Sequence, residues 1–349
     1  MTSVDRLTIH KATLEDVARE AGVSLATADR VANQREGVRD RTRARVEHAI
    51  DKLGYRANAA AKRLARNKSY RFAFLLPSNA NSFMSNLAEQ VERASNWLAA
   101  HNGHIDILHV DVFDPIKLSQ SLTQLSGIYD GVATVALDHP RVRAAIDEVV
   151  ARGIHLVTLV SDAPSSQRAH FVGIDNPAAG RTAASLMGRF LSERKGKVGI
   201  IVGSMSLRDH AERHFGFQQV LSGEFPNLKV LPPREGRDDI VRTRKHTAAL
   251  LAEHRDLVGI YNAGAGNEGI AKVLEEPGRG HEIVWIAHEL TTVTRRCLIS
   301  GVADAVINQD CGHEARSAAR VLLARCQNEP LIAEQERIRI EIFLRDNLA

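Results

Sequence analysis

The stretch ATLEDVAREAGVSLATADRVANQREGVRDRTRARVEHAIDKLGYRANAAAKRLA, residues 12–65, decides how the chain is organised. Thr13 stands before Leu14, Val17, Ala18 and Ala21, apolar residues spaced for one face of a helix. Its hydroxyl can cap that helix, and Asp16 sits in the first turn, where negative charge is favoured. Gly22 can take the left-handed backbone that ends it. Ser24 suits the cap of a second helix, Leu25 to Asn33, and Asp40 that of a third ending near Leu53, with Gly54 just beyond. Two short helices joined by a glycine turn and supported by a third make the pattern of a helix-turn-helix unit.

The second helix has two faces. Ala28, Val31 and Ala32 fall together and suit a core. Ala26, Asp29, Arg30 and Asn33 fall on another side, with Leu25 near the start. An arginine there can grip a guanine edge through two hydrogen bonds, and small or apolar side chains can meet a thymine methyl. The helix start, with Ser24 and Thr27, can hold a phosphate. Charge agrees. Residues 1–71 carry 16 lysines and arginines against 9 acids, whereas the other 278 carry 30 against 33. A basic head on a mildly acidic body suits a polyanionic partner, although a basic face can also be merely solvated.

Residues 12–65 closely resemble the head of the lactose-repressor-like (LacI/GalR) transcription factors. The pieces that carry the resemblance are Thr13-Leu14-x-Asp16-Val17-Ala18, Ala21-Gly22-Val23-Ser24, Thr27, Arg30-Val31-x-Asn33, Val38, Thr42-Arg43, Val46 and Leu53-Gly54-Tyr55. It implies that Leu25, Ala26 and Arg30 read bases while Ser24, Thr27 and Asn33 hold phosphates. Thr13, Asp29, Asn58, Ala61 and Leu64 complete the set expected at the duplex, with Leu64 wedged into the minor groove. Where the family often has Val-Ser, this chain has Ala28-Asp29. An aspartate is repelled by phosphate, so Asp29 either accepts a hydrogen bond from cytosine or pairs with a nearby arginine. The expected organisation is a helix-turn-helix domain over 12–57, a hinge over 58–70 and a ligand-binding body over 71–349.

From Arg71 onward strand-like and helix-like stretches alternate, beginning with RFAFLLP (71–77), and a second series starts at HFVGI (170–174). Such alternation indicates two doubly wound α/β halves with parallel sheets. IDNPAAGRTAASLMGRFL (174–191), Arg213-x-x-Gly216-Phe217, the loop at Asn262 and INQD (307–310) resemble the same family's ligand domain, more weakly than the head does. That domain has the two-lobed, type 1 periplasmic-binding-protein-like fold, which implies crossovers near Ile174, Gln309 and Asn328. Ligands in open α/β sheets bind beyond the carboxyl ends of strands. Phe83, Asp162, Arg213, Asn262, His288, Glu289 and Gln309 fall near such places. Their amides, carboxylates and guanidinium suit a polyhydroxylated ligand, with Phe83 offering an apolar face to a sugar ring.

GIYNAGAGNEGIAKVL, residues 259–274, raises a rival. Gly264, Gly266 and Gly269 spell the dinucleotide fingerprint G-x-G-x-x-G, and Glu289 follows 20 residues later, where a ribose-binding carboxylate would stand. Yet that fingerprint normally opens a nucleotide domain at its first strand, and only about ninety residues remain after residue 257. The small residues otherwise allow close backbone approach to a ligand or a hinge. The alternative is therefore an NADH-sensing repressor that keeps the head and uses Gly264–Gly269. A sugar kinase with an added head would need an acidic ATP motif and a cysteine metal cluster, and neither is visible. A further alternative is an architectural DNA-binding protein whose body has lost its ligand.

His210 and His214 in HAERH have metal-like spacing without the glutamate of a metalloprotease, and no G-x-S-x-G or G-x-x-x-x-G-K-[ST] string occurs. No enzyme, metal or cofactor is expected. Cys297, Cys311 and Cys326 stand far apart, which suits reduced thiols in a cytoplasm. There is no long apolar span or secretory signal. The expected partners are a double-stranded DNA operator, a small sugar-like effector and further copies of the chain, as a homodimer or a tetramer, with no membrane.

Overall fold

In the computed structural model, which describes residues 12–32, 35–55, 69–78, 81–125, 127–276 and 278–348, the chain forms two units, Met1–Lys68 and Ser69–Ala349. Asn33, Asn58, Ala61 and Leu64 lie outside the described residues.

The head consists of α1 (Leu14–Ala21), α2 (Leu25–Ala32) and α3 (Asp40–Leu53). Thr13 and Asp16 form a reciprocal capping box: the Thr13 hydroxyl accepts from the Asp16 N–H at 3.2 Å, and the Asp16 carboxylate accepts from the Thr13 N–H at 2.9 Å. Gly22 ends α1 at φ 62° and Gly54 ends α3 at φ 59°, both left-handed positions that favour glycine. Asp40 is not the cap expected of it. Arg39 takes the extended cap position without a side-chain bond, and Asp40 lies in the first turn, where its charge faces the helix's positive end. Val17, Ala18, Ala21, Ala28, Val31, Val46 and Ala49 form the core, closed by Leu14, Val23, Val38, Ile50, Leu53 and Tyr55.

The body holds two sheets. The first begins with β1 (Tyr70–Pro77), which buries every residue except Arg71, as a strand covered on both faces must. It is followed by α4 (Ser82–Ala99), β2 (Gly103–Val110), α5 (Pro115–Thr123), β3 (Gly131–Thr134), α6 (Pro140–Ala151), β4 (His155–Leu159) and β5 (His170–Val172). The strands run parallel in the order β2-β1-β3-β4-β5. The chain then enters the second lobe through α7 (Asn176–Phe190), β6 (Gly196–Val202), α8 (Arg208–Glu224), β7 (Leu228–Val230), β8 (Arg234–Glu235), α9 (Ile240–Glu253), β9 (Leu257–Asn262), α10 (Asn267–Leu274), β10 (Val284–His288), α11 (Thr292–Ser300) and β11 (Ala305–Gln309). Next, α12 (Cys311–Gln327) returns to the first sheet and packs against α4 and β3 to β5. Finally β12 (Ile340–Phe343) pairs antiparallel with β11, Gln309 opposite Ile340, and completes the second sheet in the order β12-β11-β10-β9-β6-β7, with β8 also beside β6. The chain thus passes between the sheets three times, after β5, after β11 and after α12.

A close helix crossing anchors the second lobe. A Cβ at Gly180 of α7 would lie 2.0 Å from the Arg213 carbonyl oxygen on α8, and one at Gly216 of α8 would lie 2.1 Å from the Pro177 carbonyl oxygen on α7. Each glycine therefore lets the other helix's backbone approach, and Arg213 sits at the crossing. Backbone cannot give way like the end of a side chain, so Gly216→Ala should destabilise the protein by about 1–3 kcal/mol in thermal or urea unfolding. Gly223→Ala on the same helix meets open space and should be neutral or slightly stabilising. Equal melting temperatures for the two variants would contradict the close-approach account.

Candidate functional site

Two surfaces carry the expected residues. On the head, Ala28 and Val31 turn inward, while Ala26, Arg30 and Leu25, the last 46% exposed, face outward. The Ser24 hydroxyl accepts from the Thr27 N–H at 3.2 Å and lies 2.9 Å from the Thr27 hydroxyl, which fixes the start of α2. Asp29 pairs with Arg35 at 3.4 Å, one of the two roles its charge allowed. Thr13 lies at the start of α1, bonded to Asp16.

On the body, two adjoining cavities of about 850 and 630 Å³ share Ser82, Phe83, Glu289 and Thr291. Ser82 and Phe83 come from the first lobe, at the start of α4, and the other two from the second, so the cavities are compartments of one cleft between the sheets. Gln309 borders the first compartment and His288 the second. Polar links that cross between the lobes among the described residues include the Asn81 amide donating to the Asp238 carboxylate at 3.3 Å and Arg208 pairing with Asp138 at 3.1 Å.

The cleft floor is polar and dry. Glu289 ends β10 at φ 68°, a left-handed position that costs a non-glycine residue about 1–3 kcal/mol. It is held there because its N–H donates to the Ile307 carbonyl at 2.8 Å and its carboxylate accepts from the Gln309 amide at 2.9 Å. Arg213 is 2% exposed. Its Nε donates to Asn176 Oδ1 at 2.8 Å and its Nη1 to the Ala263 carbonyl at 3.0 Å, while Nη2 lies 4.0 Å from Glu289. His288 is fully buried, its Nε2 2.8 Å from the Tyr261 hydroxyl, and burial together with the Arg213 charge drives its pKa well below the usual value, so it is neutral. Burial pushes the Glu289 carboxyl up to about 7, although Arg213 pulls the other way. Glu314 of α12 is pushed well above the usual range by burial and by the Glu289 charge.

Three expected effector residues are placed differently from a simple lining role. Asp162 borders neither compartment. Its carboxylate is taken up by Arg168, the Thr158 hydroxyl at 2.6 Å and the Ala163 N–H at 2.8 Å, so it braces the loop after β4. Arg213 and Asn262 stand behind the cleft wall. Asn262 donates to Asn267 Oδ1 at 2.7 Å and to the Ala265 carbonyl at 3.0 Å, and Asn267 donates in turn to the His288 carbonyl at 3.0 Å. Conversely, Asp238 borders the second compartment and was not expected, nor were Asn176, Asp209 and Glu314, which are buried behind the wall. They sit on helices or in a turn, where the strand-end rule does not look.

The glycine loop has a different task from holding a diphosphate. A Cβ at Gly269 would meet the Ile240 carbonyl oxygen at 2.3 Å, and one at Gly266 the Thr243 hydroxyl at 2.4 Å, so these glycines let α10 lie close to α9. The loop N–H groups are already engaged: Ala265 N donates to Asp238 Oδ1 at 2.9 Å and Gly264 N to Asn262 Oδ1 at 3.4 Å. A carboxylate in the cradle repels phosphate. His210 and His214 do not join a metal site: His210 Nδ1 accepts from the Ser204 N–H at 3.2 Å, and among the described residues no three His, Cys, Asp or Glu come together to hold a metal. All three cysteines are free, and burial pushes the Cys311 thiol up to about 12.

The floor makes a pH prediction. A carboxyl with a raised pKa in the folded state keeps its proton after the unfolded chain would have lost it, so its contribution is present at low pH and lost as pH rises through about 7. Unfolding of the ligand-free protein, compared with Glu289→Gln, should show the native protein losing relative stability between about pH 5 and about pH 8. A pH-independent difference would contradict the buried carboxyl.

The comparisons with known proteins agree with this division of labour. The model of the bacterial regulatory proteins of the lacI family matches residues 13–58, and that of the periplasmic binding protein domain matches residues 72–330, well over half of the chain. Catabolite control protein A of Streptococcus mutans is 42% identical over 92 residues, 26% of each chain. The HTH-type transcriptional regulator DegA of Bacillus subtilis is 28% identical over 214 residues, 60% of this chain and 61% of that one. The chain therefore aligns with about a quarter of the first relative and less than two thirds of the second. The body is similar in fold to a solute-binding protein of an ABC transporter from Burkholderia graminis, solved in complex with D-arabinose, with a TM-score of 0.74, 23% identity and coverage of 80% of this chain and 96% of that one. Residues 13–58 thus belong to the lacI family of bacterial regulatory proteins, and residues 72–330, most of the chain, to the periplasmic binding protein domain family.

Proposed function

We propose that this protein binds an inverted-repeat DNA operator as a homodimer, or as a tetramer made of two such dimers, in the cytoplasm, and that a small sugar-like effector in the cleft sets its affinity for DNA. The observation that carries the DNA part is the split of α2: Ala28 and Val31 buried, Leu25, Ala26 and Arg30 exposed. An exposed leucine at the helix start and an exposed arginine in its last turn have no packing reason to be there and suit base edges in a major groove. Ser24, Thr27, Thr13 and Asn33 are assigned to phosphates. Asp29, held by Arg35, orients that arginine. Asn58, Ala61 and Leu64, within a hinge over residues 58–70, are assigned to the minor groove at the operator centre.

The effector part rests on the cleft. Phe83 offers an apolar face, and His288, Glu289 and Gln309 border the same space. Arg213 and Asn262 hold its wall. Asp238 in the glycine cradle argues against the dinucleotide reading. A ligand that prefers one arrangement of the lobes shifts the cross-lobe links and, through the hinge, the heads. Such coupling is typically worth ~1–3 kcal/mol. In the cytoplasm the protein meets both DNA and metabolites, and among the described residues no helix is long and apolar enough to cross a membrane.

Two measurements test this reading. Fluorescence anisotropy with a duplex selected from a randomised pool should show Arg30→Ala losing ~1–3 kcal/mol of specific binding with its melting temperature unchanged. An equal loss on random DNA would refute base reading. Arg213→Lys keeps the charge and loses the planar fork. It should weaken effector binding at least about tenfold, a loss of ~1.4 kcal/mol, with operator binding retained. An unchanged effector response would remove Arg213 from the site.

A further inference from the structure

The cleft has a charge sign that a neutral sugar does not explain. The first compartment is bordered by Glu89, Asp310 and Glu341 against one cation, Arg316. The second is bordered by Asp238, Asp239 and Glu268 against one cation, Arg237. Glu289 faces both. Some of this charge is offset locally: Arg316 lies 3.9 Å from Asp310, and Lys272 reaches Glu268 at 2.7 Å.

The floor repeats the imbalance with the solvent removed. Arg213 is the one lysine or arginine buried among the described residues, and its charge acts on two buried acids, Glu289 and Glu314, the second of which keeps its proton. Buried atoms there without a hydrogen-bond partner include the acceptor oxygens Asp209 Oδ1 and Gln309 Oε1, the latter on a residue that borders the first compartment beside Glu289. A hydroxyl brings one donor and two acceptor lone pairs, a phosphate brings acceptors, and an ammonium brings three donors and no acceptor. Unpaired buried acceptors and unpaired negative charge are both costly, and of these three groups the ammonium relieves both. The acids are spread around the space rather than gathered as a metal site, so the cation they suit has molecular size.

We infer that the effector is a polyhydroxylated molecule carrying a protonated amine, an amino sugar or amino polyol, and that Glu289 and the unpartnered Oε1 of Gln309 recognise the amine. This rests on the proposed sugar-like effector and adds its charge. Phosphorylated sugars are rejected by the same acids.

Isothermal titration of the full-length protein with three matched sets tests it: glucose, galactose and mannose, their 2-amino-2-deoxy forms and their 6-phosphates. In at least one set the amine should bind at least about tenfold tighter than the neutral sugar, with the phosphate weakest. A neutral sugar or a phosphate binding as tightly as the amine in every set that binds overturns the charge inference and leaves the sugar reading standing. No binding by any of the compounds overturns both. Glu289→Gln should bring the ratio of amine to neutral-sugar affinity down to about one, with thermal unfolding confirming the fold. An undiminished ratio in that variant would contradict the assignment.

Discussion

A guanidinium cannot shed its proton, so a buried arginine forces the structure to be built around it. Arg213 imposes that demand on the body of this regulator. Its position on α8 exists only because Gly180 and Gly216 let two helices touch backbone to backbone. Its Nε requires Asn176 at the start of α7, and its Nη1 requires the Ala263 carbonyl at the end of β9. Its third nitrogen looks toward Glu289, and Glu289 holds Gln309, where the chain leaves the second lobe for the first. One charge thus ties the helix crossing, the glycine loop and a crossover into a single polar floor.

Three residues in the cleft wall accept backbone conformations that their side chains disfavour. Glu289 has φ 68°, Asp238 φ 57° and Arg237 φ 51°. Strain of this kind persists where the surroundings over-determine it, and it is common at ligand clamps. Asp238 spends its carboxylate twice, on the Ala265 N–H within its own lobe and on Asn81 across the cleft. The feature that resembles a phosphate cradle is therefore part of a latch between lobes. Arg208 and Asp138 make a second link, and a ligand can shift an arrangement of the lobes only through contacts that differ between arrangements.

The head was legible because its signals are local. The Thr13 and Asp16 capping box, the glycines after α1 and α3, and the inward Ala28 and Val31 of α2 all act within a few residues of their neighbours. The third helix shows the limit: Asp40 suits a cap by type, but the chain enters helix one residue earlier in geometry, at Arg39. The two-sheet body was legible from apolar runs such as Leu257–Tyr261, which read as strands buried on both faces. The site was only half legible. Phe83, His288, Glu289 and Gln309 follow the strand-end rule or lie close to it. Asp238 reaches the glycine loop from 27 residues away, which no local pattern reports. Glu314 lies inside a helix, where an acid normally means solvent, and only the return of α12 to the first sheet buries it. Asp162 has the right type and place, but Arg168, six residues on, claims its charge.

The proposed function requires the cleft and the DNA-binding surface to be energetically coupled, and coupling between two binding sites must be reciprocal. The most direct measurement is a thermodynamic cycle: the operator's Kd with and without saturating effector, and the effector's Kd with and without saturating operator. The account predicts the same factor by both routes, in the range of about 5- to 150-fold. A factor of one by either route would mean that the cleft does not control the grip on DNA.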